Sequence, residues 1–336
     1  MSCNKPAPLP EFTPSDIPDL TGYVAIVTGG NSGIGFETTK QLAMRNARVY
    51  IASRSQQRVD EAISQMNTAV GRALDLHFLQ MDLQDLQSVK LAATLFAHQE
   101  SHLDILINNA GVMTVPFKLT KDGYETQIQV NFLALFVFTT TLLPLLLSTA
   151  SQYSTPNRVR VINVCSDLAF MGPKTIQFDD LNMTNTKGMM ELMQRYGHSK
   201  QAAIRHAKEL NDRYSHQGEN KDTLVASRPF SLTVQTGVTA YSCHPGIVKS
   251  NLQSHDPTIV GKTMRTVMKY TASMTPLEGA INSLFLATSP LAPERGQGKF
   301  FIPVTKVNPK AEDWLNDRET NARLWEHCSG ILAQIP

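Results

Sequence analysis

Short runs of apolar, often β-branched residues alternate with helical patterns from Tyr23 onward. The runs are apolar almost without interruption, which is typical of strands in a parallel sheet that is covered on both faces. The predicted strands are residues 24–27, 48–52, 76–80, 103–107, 159–164 and 238–242, with 299–302 as an edge strand. The predicted helices are residues 34–46, 59–66, 86–99 and an apolar helix at about 132–147. Strands that alternate with helices in this way predict an α/β fold with helices on both faces of the sheet.

The pattern divides the chain into one domain with additions. Residues 1–20 are Pro-rich and polar and are predicted to form an N-terminal arm, and residues 21–302 form the domain. A polar stretch at about 214–236 is predicted to be a surface insertion. Residues 303–336 form a C-terminal extension, in which Trp314 and Trp325 have helix-compatible spacing, and we expect it to pack on the domain.

Composition excludes several classes of protein. The chain has 31 Lys and Arg against 29 Asp and Glu, which gives no electrostatic case for binding nucleic acid or an acidic membrane surface. The cysteines are scattered without C-x-x-C spacing, so neither a paired zinc site nor a disulfide framework is expected, and no metal site is predicted. They are Cys3, Cys165, Cys243 and Cys328. A reducing compartment fits this pattern.

No targeting or membrane segment is predicted. The N-terminus lacks a basic region followed by an apolar core, and residues 333–336 match no lipidation or peroxisomal signal. The apolar stretch at 132–147 contains three threonines and Pro144 and is too short for a bilayer, which favours a buried or subunit-contacting helix. We therefore expect a cytoplasmic protein that acts on a small molecule, and a homodimer is compatible with the sequence.

A glycine-rich segment follows the first predicted strand. It reads Thr28-Gly29-Gly30-Asn31-Ser32-Gly33-Ile34-Gly35, with the spacing G-x-x-x-G-x-G. Glycines between a strand and a helix allow the backbone to approach a pyrophosphate, whose charge then lies at the helix N-terminus. A structural turn is the alternative for such a segment on its own. The position after the first strand of an α/β series favours phosphate binding.

The end of the second predicted strand bears on cofactor choice. It carries Ser53-Arg54-Ser55 and no carboxylate. A carboxylate there would bind the ribose hydroxyls of NAD and repel a 2′-phosphate, whereas Arg54 can form a forked contact to that phosphate. The sequence therefore favours NADP(H), the alternative being that Arg54 is a solvated surface arginine. Arg58, one turn further on, could assist or could face solvent.

Tyr196 and Lys200 stand four residues apart in a predicted helix, which places both side chains on one face. A lysine about 4 Å from a phenol, at an effective dielectric near 20, stabilises the phenolate by roughly 4 kcal/mol. After screening, that corresponds to a phenol pKa lowered by about two units, since one unit is about 1.4 kcal/mol. Tyr196 is thereby predicted to serve as a general acid–base group.

Several short segments follow one another along the chain in a fixed order. They are Thr28 to Gly35, Asp82-Leu83, Asn108-Asn109-Ala110-Gly111, Asn131, Asn163-Val164-Cys165-Ser166, Tyr196 to Lys200 and His244-Pro245-Gly246. This ordered set resembles the short-chain dehydrogenase/reductase family over about residues 20–302, and within it the retinol-dehydrogenase-like and WW-domain-oxidoreductase-like branch. The resemblance implies a single doubly wound Rossmann-type domain with about seven parallel strands.

The resemblance also implies roles along the cofactor. Asp82 and Leu83 would border the adenine, although Asp82 could also cap the helix that starts near Leu86. The implied cofactor-binding residues are Gly29, Asn31, Ser32, Gly33, Ile34, Gly35, Arg54, Asp82, Leu83, Asn109, Ala110, Gly111, Tyr196, Lys200, Pro245, Gly246, Ile247 and Val248. Of these, Ile247 and Val248 would form a wall of the nicotinamide pocket.

The implied catalytic group is Asn131, Ser166, Tyr196 and Lys200. Ser166 would hydrogen-bond the substrate oxygen, and Lys200 would also bind the nicotinamide ribose. Asn131 would kink the apolar helix and hold a water in a proton relay, or would satisfy the helix backbone as a buried amide.

Other residues near these motifs carry weaker expectations. Cys165 stands where the family has a second serine, and it lacks an identifiable base, so packing is favoured over a nucleophilic role. Asp167 could bind a polar substrate group or cap a turn, and His198 and His206 are expected at the surface. Methionines just before Tyr196 suit an apolar ligand or ordinary core packing. They are Met183, Met189, Met190 and Met193, and residues 248–274 are a candidate lid.

The predicted function is an NADP(H)-dependent oxidoreductase that acts on the carbonyl or alcohol of a lipophilic small molecule, with Tyr196 as the acid–base group. One alternative is a non-redox isomerase, dehydratase or cyclase on the same scaffold. Another is a regulator that binds the cofactor without catalysis.

Overall fold

One sheet organises the fold. The computed structural model describes residues 11–153, 155–188, 190–215, 237–248 and 273–336. Within these ranges eight strands form a sheet of order β3-β2-β1-β4-β5-β6-β7-β8. They are β1 (Val24–Thr28), β2 (Arg48–Ser53), β3 (Leu76–Gln80), β4 (Ile105–Asn108), β5 (Val159–Val164), β6 (Val238–Cys243), β7 (Phe300–Ile302) and β8 (Lys306–Val307).

Seven of these strands are parallel, as the sequence predicts. The eighth, β8, pairs with β7 in the antiparallel direction and was not predicted. Its two residues are too few to show a period of two. The predicted insertion lies outside the described residues except for Tyr214 and Ser215, as do Met189 and most of the candidate lid at 248–274.

The helices cover both faces of the sheet. They are α1 (Gly33–Met44), α2 (Gln56–Val70), α3 (Leu86–Gln99), α4 (Thr126–Gln152), α5 (Glu191–Tyr214), α6 (Pro276–Thr288), α7 (Ala292–Gly296), α8 (Glu312–Asn316) and α9 (Arg318–Ala333). The sequence analysis did not predict α6. Its signal is a capping box, in which Thr275 and Glu278 bond each other's backbone amides, followed by Pro276 at the first helical position.

Alternate residues of the strands enter two separate cores. In β2, Val49 and Ile51 belong to the core that α1 and α6 cover, whereas Tyr50 and Ala52 belong to the core that α3, α4 and α5 cover. Full burial of a Val or Ile side chain is worth about 1.5–3 kcal/mol relative to exposure. The sheet is therefore stabilised from both faces, which confirms the predicted doubly wound architecture.

The N-terminal residues in the described part pack on the domain. Ile17 and Leu20 are buried, and the ring of Phe12 meets Phe285 edge to face with 5.4 Å between centroids. This contact places the segment from Phe12 onward on the α6 face of the sheet.

The C-terminal extension packs on the opposite face. Trp314 stacks on Phe170, which follows β5, with ring centroids 4.7 Å apart. Trp325 of α9 meets Phe136 of α4 edge to face at 5.2 Å. The extension therefore contacts two elements that belong to the core of the domain.

Helix α4 is long and apolar enough to cross a membrane, and the part of the chain that the structure describes contains one such helix. However, 72% of its most apolar window is buried inside the chain. A π-helical turn, Gln129–Leu133, interrupts it around Asn131. Such turns widen a helix locally and often occur at functional sites.

Candidate active site

A cavity of about 1700 Å³ opens at the carboxyl ends of the parallel strands. It lies around the point between β1 and β4 at which the strand order reverses, where doubly wound folds bind ligands. The predicted residues that line it are Gly29, Asn31, Ser32, Gly33, Ile34, Gly35, Arg54, Asp82, Leu83, Asn109, Ala110, Gly111, Ser166, Tyr196, Lys200, Pro245, Gly246, Ile247 and Val248. Of the predicted site residues, Asn131 alone does not line it.

The glycine-rich loop forms a cradle that side chains would fill. Gly29 and Gly33 have φ angles of 65° and 55°, in the left-handed region that favours glycine. A Cβ at Gly35 would lie 2.4 Å from the carbonyl oxygen of Gly29 and 2.5 Å from Nδ2 of Asn109. The loop leads directly into the N-terminus of α1, where backbone amides and the helix dipole favour an anion. These features fit the pyrophosphate of a dinucleotide.

The loop after β4 is fastened to the end of β1. The hydroxyl oxygen of Thr28 accepts hydrogen bonds from the backbone amides of Asn109 and Ala110, each 2.9 Å long. The Asn109 side chain donates to the carbonyl oxygen of Thr28 at 2.8 Å. The Asn109 amide group is thus engaged within the protein, where it fixes the floor of the cavity.

The turn after β2 and the start of α2 present two arginines to the cavity. Arg54 and Arg58 both line it and are exposed. Ser55 caps α2, because its hydroxyl accepts from the Arg58 amide at 3.3 Å. The carboxylate in this wall, Glu61, lies a turn further along α2 and accepts from Gln57 at 3.0 Å. Residues 53–55 at the strand end contain no acid, so this end of the cavity offers cationic groups.

Two glycines bring together the segments that carry Ser166 and Tyr196. A Cβ at Gly197 would lie 2.4 Å from the backbone nitrogen of Gly172, and one at Gly172 would lie 2.6 Å from the nitrogen of His198. Glycine inside a helix costs about 1 kcal/mol relative to alanine, so its presence in α5 has a packing reason. The close approach allows the turn after Ser166 to rest against the helix that carries Tyr196.

Tyr196 is 3% exposed, and its burial raises the pKa of the phenol, while hydrogen bonding to Ser166 lowers it by less. Lys200 donates from Nζ to the carbonyl oxygen of Val164 at 2.9 Å, and Nζ lies 5.9 Å from the centre of the Tyr196 ring. The predicted lowering of the Tyr196 pKa by Lys200 is therefore wrong for this geometry, because desolvation dominates and the Lys200 ammonium is bonded to the carbonyl oxygen of Val164. Burial also lowers the pKa of Lys200.

Asn131 lies behind the cavity wall and links its parts. Its Oδ1 accepts from the amide of Val112 at 2.8 Å, and its Nδ2 donates to the carbonyl oxygen of Val112 and to Ser199, each at 2.9 Å. Ser199 in turn donates to the carbonyl oxygen of Tyr196 at 2.7 Å. A Cβ at Gly111 would lie 3.0 Å from Oδ1 of Asn131 and 3.4 Å from Nζ of Lys200. Asn131 therefore links the loop after β4 to the helix that carries Tyr196.

Two histidines that were expected at the surface are buried, so that prediction was wrong. His198 is 1% exposed and its Nε2 accepts from the amide of Gln177 at 3.2 Å. His206 is 3% exposed and packs against Phe136 and Trp325. Burial lowers the pKa of His198 to about 4 and that of His206 to about 3, so both are neutral at physiological pH. The long α5 is covered on both sides, which a single-sequence pattern does not reveal.

Cys165 and its neighbours show no sign of a nucleophile or a metal site. Burial raises the pKa of the Cys165 thiol to about 12, which leaves it protonated at neutral pH. Nowhere in the described ranges do three His, Cys, Asp or Glu side chains come together to hold a metal ion.

The part of the cavity beside Tyr196 has a mostly apolar wall, which we call the substrate end. Met113, Met193 and Leu168 pack against Tyr196. We assign to the same end the cavity-lining Val115, Met171 and Met190, with Ser166, Asp167 and His244 as polar lining residues. Of the four methionines for which an apolar ligand and core packing were both considered, Met190 and Met193 line the cavity. Met183 is instead buried, and its carbonyl oxygen accepts from Arg195. Motif reasoning missed Met113 and Met171, because nothing in their local sequence marks them.

The comparisons with known proteins agree with this geometry. The family model described as short chain dehydrogenase matches residues 23–178. The chain is 38% identical to the short-chain dehydrogenase/reductase drtF of Aspergillus calidoustus, over 93% of this chain and 94% of that protein. It is 36% identical to human retinol dehydrogenase 12, over 93% of this chain and 87% of that protein.

A solved structure shows the same fold. The RhlG/NADP active-site complex of Pseudomonas aeruginosa superimposes with a TM-score of 0.59 and 24% identity, over 85% of this chain and 96% of that one. The chain belongs to the short-chain dehydrogenase/reductase family, in its retinol-dehydrogenase-like branch. It is thus an oxidoreductase of a family that uses nicotinamide cofactors.

Proposed function

We propose that the protein is an NADP(H)-dependent oxidoreductase that interconverts a carbonyl and an alcohol on a lipophilic small molecule. One observation carries the proposal. A serine, a tyrosine and a lysine that can handle an oxygen and a proton meet in the same cavity as a glycine-rich phosphate cradle. When bound, the cofactor supplies or accepts the hydride.

Cofactor preference is supported by charge at the end of β2. Arg54 and Arg58 line the cavity there, and the strand end has no carboxylate to bind ribose hydroxyls or to repel a phosphate. A guanidinium group forms strong, forked hydrogen bonds with phosphate. The Pseudomonas aeruginosa structure with the same fold is described as an NADP complex. We infer that the 2′-phosphate of NADP(H) lies against Arg54.

Tyr196 is the residue that we assign to proton transfer. Its raised pKa keeps the phenol protonated at neutral pH, which is the form that donates a proton to a developing alkoxide. Ser166 accepts from the amide of Leu168 at 3.2 Å and its side chain hydrogen-bonds Tyr196, so a substrate oxygen that enters between them can bond both hydroxyls. Lys200, whose Nζ lies 5.9 Å from the centre of the Tyr196 ring, is assigned to the hydroxyl groups of the nicotinamide ribose.

The substrate class and the compartment follow from neighbouring residues. Methionines and aliphatic side chains at the substrate end adapt to apolar ligands of irregular shape. In the described part of the chain, Cys165, Cys243 and Cys328 are buried free thiols, which supports a reducing compartment such as the cytoplasm.

The direct test is a screen of carbonyl compounds and alcohols in which nicotinamide absorbance is followed with each cofactor. We expect turnover with NADPH and apolar aldehydes or ketones. Tight NADPH binding without turnover of any compound would contradict the redox assignment and favour a non-redox enzyme or a cofactor-binding regulator.

Cofactor choice is tested by Arg54→Ala. A hydrogen bond to a charged group contributes about 1.5–3 kcal/mol, so NADPH affinity should fall roughly 10- to 150-fold while NADH affinity changes little. Calorimetric titration of both cofactors measures this difference. Arg318→Ala, at an exposed arginine on α9, is the control and should change neither affinity. Equal losses for NADPH and NADH would remove Arg54 from the phosphate site.

A further inference from the structure

Asp167 is a carboxylate in a mostly apolar part of the cavity. It follows Ser166 directly, and the Cα atoms of adjacent residues are about 3.8 Å apart. Asp167 lines the cavity and is exposed to it. The two sequence-based interpretations were a turn cap and a substrate contact. The cap of the short helix Asp167–Met171 is Ser166, whose oxygen accepts from Leu168, so Asp167 is free of that task.

The C-terminal extension fixes the position of this carboxylate. Oδ1 of Asp167 accepts a hydrogen bond from Nδ2 of Asn308 at 3.0 Å. Asn308 is 4% exposed, and it is held by a 2.7 Å bond from its amide to Phe300 and by a 3.0 Å bond from the Lys310 amide to its Oδ1. Among the residues the structure describes, Oδ2 of Asp167 has no hydrogen-bond partner. Within the described ranges, the carboxylate is therefore anchored through one oxygen and open through the other.

No cation compensates Asp167 in the described part of the chain. The titratable neighbour is His244, which also lines the cavity. Burial lowers the pKa of His244 and the charge of Asp167 raises it by less, so the imidazole is neutral at physiological pH. An open carboxylate oxygen beside methionine side chains is a strong acceptor, because charge-assisted hydrogen bonds are about twice as strong as neutral ones.

We propose that Asp167 is a substrate-binding residue that accepts a hydrogen bond from a second hydroxyl group, a few bonds from the reacting carbon. The substrate is then a lipophilic hydroxy-carbonyl compound, and the product a diol, or the reverse. The inference rests on the proposed function. A hydroxyl is favoured over an ammonium because a neutral donor loses less solvation free energy when it enters an apolar wall.

A matched pair of ligands tests this proposal without turnover. Nonan-2-ol and nonane-2,4-diol differ by one hydroxyl, and neither can react with the NADPH-loaded protein, because an alcohol needs the oxidised cofactor. Calorimetric titration of the NADPH complex should show the diol binding at least roughly tenfold more tightly than the mono-alcohol. In Asp167→Leu the two affinities should become equal.

Asp167→Asn is the matched control. Its amide oxygen can still accept from Asn308, so the anchor is kept while the charge is lost. We expect the diol preference to fall to a few-fold and the affinity for NADPH to stay unchanged. Equal affinities in the wild type, or the same preference in Asp167→Leu, would overturn the proposal. Tighter binding of 4-aminononan-2-ol than of the diol would overturn the choice of a hydroxyl.

The outcome is separable from that of the carbonyl screen. A diol preference that depends on Asp167, together with no turnover of any carbonyl compound, would refute the redox assignment and leave the binding site standing. Turnover of simple ketones without any diol preference would support the redox assignment and refute the role of Asp167 in substrate binding.

Discussion

The two ends of the cavity are built in different ways. The cofactor end is formed largely by backbone at the ends of β1 to β4, with glycines where a side chain would collide. The substrate end is formed by side chains from distant segments, and the C-terminal extension holds part of it through Asn308. A site made of backbone depends on local sequence and leaves a motif, whereas a site made of packed side chains depends on the whole fold.

Of the variants that compare the two ends, Gly35→Ala should have the largest effect, and it breaks the cofactor end alone. The new Cβ would lie 2.4 Å from the Gly29 carbonyl oxygen, so the phosphate loop must move. If returning the loop to its binding geometry costs the about 1–3 kcal/mol typical of overpacking, NADPH binding weakens by up to roughly 150-fold. Fluorescence titration with NADPH measures the loss.

The control is Gly330→Ala in α9, where an added Cβ meets no atom within 4 Å. It should leave NADPH affinity unchanged and stabilise the helix by about 0.5–1 kcal/mol. Unaltered NADPH binding in Gly35→Ala would show that the cradle does not hold the cofactor.

Arg205→Met should break the attachment of the C-terminal extension. Arg205 is 1% exposed, and its Nη1 donates to Trp314, Asp317 and Asn321 at 3.1, 3.1 and 2.8 Å. Loss of one partner from a buried charge pair costs about 3–5 kcal/mol, and Asp317 is a third exposed, so we expect about 2–3 kcal/mol in the free energy of unfolding. Urea denaturation measures it.

The matched control for that variant is Arg213→Met on the same helix, where the arginine pairs with Glu209 and Glu326 nearer the surface. Such pairs contribute about 0–1 kcal/mol. NADPH affinity per folded molecule should be unchanged in both variants. If Arg205→Met lowered the free energy of NADPH binding by as much as it lowered the free energy of unfolding, the two ends of the cavity would not be independent.

A smaller effect is expected from His206, which packs between α4, α5 and α9. Its folded pKa is about 3, below the ordinary value of about 6.5, so between these pH values the unfolded chain binds a proton that the folded chain does not. Neutral His206 therefore makes its full contribution to the free energy of unfolding above about pH 6.5, and this contribution is lost as the pH falls toward the folded pKa. At pH 5 this loss is about 2 kcal/mol, since one pKa unit is about 1.4 kcal/mol.

Urea denaturation of wild type and His206→Phe at pH 7.5 and pH 5 checks this value. The variant should lose about 2 kcal/mol less than the wild type over that interval. Identical losses would mean that His206 accepts a proton in the folded state.

The contrast between local features and features that depend on the whole fold also explains what could be predicted from the sequence. The seven parallel strands and the phosphate loop follow from apolar runs and from Gly29 to Gly35, which are local features. The burial of His206 and the Asn308–Asp167 bond could not be predicted, because they depend on segments more than a hundred residues apart. The pKa of Tyr196 was predicted in the wrong direction, since helical spacing gives its distance to Lys200 but not its desolvation.

The central claim is that Tyr196 transfers the proton in an NADP(H)-dependent reaction. The decisive measurement is kcat and NADPH affinity for Tyr196→Phe, with the best carbonyl substrate from the screen. The ring remains buried in the same place, while the hydroxyl is lost. General acid–base groups contribute about 10²–10⁴-fold, so kcat should fall by at least that lower bound while NADPH affinity stays nearly constant. A variant that kept more than about a tenth of the wild-type kcat would have lost less than the expected 10²-fold, and this result would contradict the claim.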